Sequence, residues 1–186
     1  MADLPSLLAS CHLQCLPHTP SAQAGAKALA ALYQTLLKSS VSKVVYRLVD
    51  QDRRCIGFAS GTLDRYTTQR GVLRQLPPGL LLSLLLRNLL QPTHLLAQWR
   101  WRHCIPQAGS GYILTIGTDP TFIGDKKIAG RMLLAELEAF FRERDCQQVW
   151  VDTESSNRRA IDFYLKNLYT IVREDHGHAL LSKILV

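Results

Sequence analysis

The sequence has no CxxC pair, no long uninterrupted apolar run and no long block of basic residues. Its five cysteines, at 11, 15, 55, 104 and 146, are odd in number and scattered. That argues against a disulfide framework and fits a reducing, cytoplasmic setting. Cys11 and Cys15 have His12 and His18 nearby, but a metal centre would need further ligands at metal spacing, so no metal is expected. The amino-terminal residues lack the basic, apolar and small-residue regions of a secretory leader. The most apolar stretch, residues 80–90, is interrupted by Ser83, Arg87 and Asn88 and is too short to span a bilayer. Zinc-finger spacing and aromatic RNA-binding motifs are missing too, so nucleic acid is not an expected partner despite a net charge of +7. No repeat or low-complexity tract occurs.

What is present is an ordinary globular composition: 186 residues, 47% hydrophobic and 20% charged. It is enough for one domain with its own core, residues 1–186. Residues 4–8 and 13–16 are short apolar pieces, helix or strand, ahead of Pro17 and Pro20. Leu29, Leu32, Tyr33, Leu36 and Leu37 recur at helical spacing, which predicts an amphipathic helix over 22–38 with Ser21 as its N-cap. Residues 43–49 and 55–61 read as two strands of a hairpin. Residues 62–108 form an insert rich in leucine and arginine, with helices over 80–90 and 93–103. Its leucines pack on the sheet or form a lid on the acceptor side; a homodimer surface and a membrane-surface patch around Trp99 and Trp101 stand as alternatives.

The chain is organised around residues 111–164. Tyr112 to Thr118 is a near-continuous apolar run, as in a buried central strand, followed by Asp119 and Pro120. A loop, Gly124, Asp125, Lys126, Lys127, Ile128, Ala129 and Gly130, leads into a helix from about Gly130, with Arg131 next. Backbone N–H groups at such a helix start bind anions, and the lysines and arginine add charge suited to phosphate. Leu133, Leu134, Leu137, Phe140 and Phe141 share one face of that helix, with Glu136, Glu138, Arg142 and Glu143 away from it. A strand over 148–153 and a helix over 157–167 follow, then two strands joined around Asp175 to Gly177.

Asn157, Ala160 and Tyr164, in the pattern Asn-x-x-Ala-x-x-x-Tyr, together with Pro120 and Gly130, give this stretch its resemblance to the GCN5-related N-acetyltransferases, the GNAT superfamily. The hairpin before it, with Gly57 and Phe58 in its second strand, extends the likeness toward the amino terminus. The resemblance implies an α/β fold: a mixed, mostly antiparallel sheet of about seven strands flanked by helices, with the helical insert between the third and fourth strands. It implies acetyl-CoA as acyl donor. The end of the fourth strand, Ile116, Gly117 and Thr118, would pair with the pantetheine arm, and Gly117 would allow close approach or a bulge. The loop 124–130 and Arg131 would hold the pyrophosphate. Asp125 and Ile128 depart from the family's loop pattern, which has a basic or amide residue and a glycine there. Asn157 and Ala160 would lie along the cofactor, and Tyr164 would protonate the departing thiolate. Leu168 stands where the family has glycine, so the helix has to end without one, with Asn167 as the left-handed residue.

Read from the residues alone, Tyr164 is equally a core residue sharing a face with Ala160 and Ile161, and Asn157 a plain N-cap. Asp152 and Glu154, on or just past the fifth strand, are candidate bases for the amine proton. They also fit a solvated strand end; His103 is a weaker candidate. The function expected is transfer of an acetyl group to a primary amine, on a small molecule or a protein, by direct attack. The alternative is a module of this fold that has lost catalysis and binds a ligand or partner.

Overall fold

The computed structural model describes residues 3–49, 54–75, 79, 109–122, 126–175 and 177–185. The amino-terminal apolar pieces join in one helix, α1 (Leu4–Cys15). Asp3 caps it by accepting from the Ser6 N–H, and Pro5 stands in the first turn, where its missing N–H costs nothing. The helix expected over 22–38 is two: α2 (Pro20–Gln23), capped by Thr19 rather than Ser21, and α3 (Ala26–Lys38). Gly25 between them has φ +89°, a conformation that glycine reaches without strain, and it separates the two helices.

Next come β1 (Ser42–Val49), β2 (Arg54–Thr62) and α4 (Arg65–Gln75), then β3 (Ser110–Thr118) and α5 (Lys126–Arg142). The chain continues through β4 (Gln148–Glu154), α6 (Arg158–Lys166), β5 (Thr170–Asp175) and β6 (His178–Ile184). The described strands number six, against about seven expected, because the amino-terminal piece is helical. The strands expected as fourth and fifth are therefore β3 and β4. Inside the insert, α4 buries only Thr68, so no apolar stripe marks it in the sequence. The helices expected over 80–90 and 93–103, and His103, lie outside the described residues.

The strands form one sheet in the order β1-β2-β3-β4-β6-β5, antiparallel except between β3 and β4. That parallel pair is joined through α5, as parallel neighbours require a crossover. On one face α5 and α6 pack Leu133, Leu137, Phe141 and Ile161 against Ile113, Val149 and Val151. On the other, α1 and α3 bring Leu8, Leu29 and Tyr33 onto Cys55 and Phe58. Gly111 is required under α5: a Cβ there would stand 2.5 Å from the Phe141 ring.

Two details depart from the sequence pattern. Glu138, assigned to the polar face of the helix, is only 5% exposed. The Lys183 Nζ donates to both its carboxylate oxygens, at 3.0 and 2.8 Å, and the Tyr169 hydroxyl donates to Oε1 at 3.1 Å. The second detail is the end of α6. Leu168, not Asn167, is left-handed, with φ 69°, while Asn167 has φ −104°. The Tyr169 N–H reaches back to the Tyr164 carbonyl and the Leu168 N–H to the Leu165 carbonyl, each at 3.1 Å, which is a Schellman closure. A β-carbon is strained at that φ, and the Leu168 side chain is 78% exposed, so it recovers little by burial. Leu168→Gly is expected to raise stability by about 1 kcal/mol, read as a higher urea midpoint at unchanged slope.

Candidate active site

The parallel pairing of β3 and β4 runs only from Ser110↔Gln148 to Ile113↔Val151. Beyond it β3 continues to Thr118 beside β2, and β4 continues to Glu154 beside β6. The two strands thus part in the middle of the sheet. The cause lies in the register against β2: Ser60 pairs with Thr115 but Gly61 with Ile113, which leaves Leu114 as an extra residue. Such a bulge bends a strand and increases its local twist. It also shifts the alternation of side chains, so that Ile113 and Ile116 both pack toward the α5 core. From Leu114 to Thr118 the edge of β3 that faced β4 has no strand partner among the described residues.

The bulge is at Leu114, not Gly117. A Cβ on Gly117 would meet Cys15 Cβ at 3.0 Å and Phe58 at 3.2 Å, so this glycine admits the end of α1. Past Thr118 the chain is pinned by Asp119, which is 1% exposed. The Thr121 N–H and hydroxyl each donate to its Oδ1 at 2.7 Å, and Arg54 donates from Nε to Oδ2 at 3.1 Å. Burial pushes the Asp119 carboxyl up, but the Thr121 and Arg54 donors outweigh it and hold it below the usual range.

Helix α5 begins at Lys126, four residues before the expected start, so 126–130 is its first turn rather than a loop. Gly124 and Asp125 lie outside the described residues. Lys126 and Lys127 are helical, Ala129 is half-buried, and Ile128 and Arg131 are exposed. Gly130 is buried where a Cβ would stand 3.3 Å from the Phe163 ring and 3.9 Å from the Thr118 methyl. It lets the start of α5 sit close to α6 and to the end of β3.

Tyr164 is 3% exposed, between Phe163 and Tyr169, whose ring centroids are each 5.3 Å away. Burial raises its hydroxyl pKa strongly, and the nearby Asp152 carboxylate adds to the rise. Asp152 is the first β4 residue past the last β3 pair. It accepts a hydrogen bond from the Tyr112 hydroxyl across the split. The Asp152 charge thus reaches Tyr164. Glu154 stands exposed farther along, with the Ser156 hydroxyl donating to it at 3.5 Å, and is not part of that pair. Asn157 caps α6, its side chain accepting from the Ala160 N–H at 3.1 Å. The sequence pattern overlooked Tyr112 and Arg65, whose guanidinium lies 4.5 Å over the Tyr112 ring. Strand alternation could have found Tyr112, since it opposes Trp150 on the face that Asp152 shares.

Behind β3, His12 is fully buried. Its Nδ1 is 2.7 Å from the Tyr33 hydroxyl, its Nε2 is 3.1 Å from both the Thr19 and Ser21 hydroxyls, and its ring stacks on Phe58. Burial lowers its pKa from 6.5 to about 4. The unfolded chain therefore gains a proton that the folded chain refuses as pH falls between those values. Stability is fully present above 6.5 and drops toward pH 4, by roughly 3 kcal/mol. Urea midpoints measured across this window test it, and His12→Gln should flatten the slope. Among the described residues no three His, Cys, Asp or Glu side chains are placed to hold a metal ion, and no helix is long and apolar enough to cross a membrane.

Residues 88–168, which include the split, the start of α5 and Tyr164, match the sequence pattern of the acetyltransferase (GNAT) family. Over this stretch the chain is similar to that family. The GNAT fold extends over the rest of the chain. An acetyltransferase of this family from Desulfovibrio desulfuricans superposes with TM-score 0.63 at 13% identity, over 100% of this chain and 95% of that one. The PaiA N-acetyltransferase from Thermoplasma acidophilum, solved with coenzyme A, gives 0.61 at 13% identity over 97% and 92%. The ribosomal-protein-S18-alanine N-acetyltransferase from Escherichia coli gives 0.57 at 12% identity over 99% and 90%. At these identities the likeness is one of fold. No curated protein sequence matches the chain.

Proposed function

We propose that the protein is an acetyl-CoA-dependent N-acetyltransferase acting on a primary amine, with the whole chain as one catalytic unit. The observation that carries this reading is the parting of β3 and β4 beyond Ile113↔Val151, with Asp152 the first β4 residue past the last pair and its charge acting on Tyr164. An unpaired strand edge is a template for extended amide groups, and the pantetheine arm supplies two of them. Ile116, Gly117 and Thr118 supply that edge here. The first turn of α5 offers backbone N–H groups and the positive end of a 17-residue helix to a pyrophosphate. Gly130 keeps side chains away from that turn, and Lys126, Lys127 and Arg131 add charge. Ile128 and Ala129 flank the same contact, and Asn157 and Ala160 border it from α6.

Acetyl-CoA supplies an activated thioester carbonyl. The residues do the proton work around it. Asp152, held by the Tyr112 hydroxyl on Oδ1, keeps its other oxygen for the proton of the attacking amine, with Glu154 as a second acceptor farther out. The amine nitrogen forms the amide bond as the carbon–sulfur bond breaks. Tyr164 keeps its proton through the neutral range because burial and Asp152 both oppose ionisation, so it can deliver that proton to the leaving sulfur. PaiA, whose fold the chain shares, was solved with coenzyme A, which supports the choice of donor.

The test is calorimetric titration with acetyl-CoA, followed by an assay of thiol release on a panel of amines. Micromolar binding and amine-dependent release are expected. No binding at millimolar acetyl-CoA would leave a GNAT-fold module that binds something else.

A further inference from the structure

On the face of the sheet away from α5, Tyr112 packs with Trp150, Leu114 and Leu180. Two donors here, the Trp150 Nε1–H and the Arg65 Nε–H, are buried without a hydrogen-bond partner among the described residues. The tryptophan is 5% exposed. Arg65 lies over the Tyr112 ring, 4.5 Å from its centroid, and has no salt bridge among the described residues. The hydroxyl of that same ring donates to Asp152. One phenol ring therefore carries a cation on its face and a carboxylate at its tip, with the Trp150 side chain packed in the same cluster. Buried donors without partners are rare and call for an acceptor. An arginine fork matches a carboxylate in two-point geometry.

We propose that Arg65 and Trp150 form the recognition half of the acceptor subsite, and that the acceptor is a free amino acid. Its carboxylate meets Arg65 and the indole N–H, while its amine meets Asp152 at the mouth of the split. This rests on reading that split as the acyl-transfer cleft. A plain alkylamine satisfies Asp152 alone and leaves both donors unmatched. An amino-acid amide keeps an oxygen but loses the charge that a guanidinium selects.

The experiment has a binding arm and a turnover arm. In the first, the indole N–H signal of Trp150, assigned by its loss in Trp150→Phe, is followed by NMR while the twenty free L-amino acids are added at millimolar concentration. Matched amino-acid amides and alkylamines are added in parallel. A shift with at least one free amino acid, and at least tenfold weaker response to its amide, is expected. In the second arm, Arg65→Gln should raise KM for that amino acid about 30-fold or more while kcat changes by less than threefold, with partial rescue in Arg65→Lys. No shift with any free amino acid, or equal response to the amides and alkylamines, overturns the proposal. An unchanged KM in Arg65→Gln does the same. The binding arm needs no acetyl-CoA. Loss of acetyl-CoA binding alone would sink the transferase reading, and loss of the indole response alone would sink the subsite.

Discussion

Tyr164→Phe is expected to lower kcat for acetyl transfer by about 100-fold or more and to leave the Kd for acetyl-CoA unchanged. The expectation follows from where the hydroxyl sits. Burial and the Asp152 charge keep it protonated. A buried tyrosine in a purely structural role would show the opposite result. Tyr164 packs through its ring, against Phe163 and Tyr169, and phenylalanine keeps that ring. The melting temperature should therefore stay within a few degrees of the wild type. Rate lost with fold kept assigns the hydroxyl to chemistry. Rate kept would return Tyr164 to the core and leave protonation of the thiolate to solvent. If proton delivery is the lost step, donors with a more acidic leaving thiol should suffer less from the substitution.

The largest effect on stability is expected at Lys183. Its ammonium holds both oxygens of a carboxylate on α5 that is almost wholly out of water, and joins that helix to β6. Lys183→Met removes the cation and leaves the Glu138 charge with the Tyr169 hydroxyl and the half-exposed Arg142, 3.6 Å from the carboxylate. Breaking a buried pair from one side costs about 3–5 kcal/mol, because the remaining charge stays desolvated. Urea unfolding should show that loss as a lower midpoint. Glu138→Met combined with Lys183→Met should recover most of it, since an apolar pair removes the unmatched charge along with its partner. A single variant as stable as the wild type would mean that water reaches Glu138 and the pair is a surface one. The double variant separates the two readings.

Local patterning carried much of this protein into view. The apolar run along 112–118, alternation along 148–153, helical spacing from Leu133 to Phe141, and the Asn157, Ala160 and Tyr164 series are all set within one element and its immediate neighbours. The β-α-β-α core they imply is the one that forms. Helix α5 starting at Lys126 and the division at Gly25 were missed for a local reason: caps and positive φ leave no apolar periodicity. The remaining features depend on partners far along the chain. The bulge at Leu114 exists only in register against β2, and that register decides where the sheet opens. Glu138 faces inward because Lys183 and Tyr169 arrive to receive it. Tyr112 reaches Asp152, forty residues on, across strands that meet only in the folded sheet.

The sequence by itself determined the class of fold, the order of its core elements and the tyrosine at the end of the motif. Those follow from side-chain periodicity, which a chain carries before it folds. The opening between β3 and β4, the hydrogen bond from Tyr112 to Asp152 and the unmatched donors on Arg65 and Trp150 were decided by tertiary structure alone. Each is a relation between segments, and no single segment encodes the distance, register or burial that makes it.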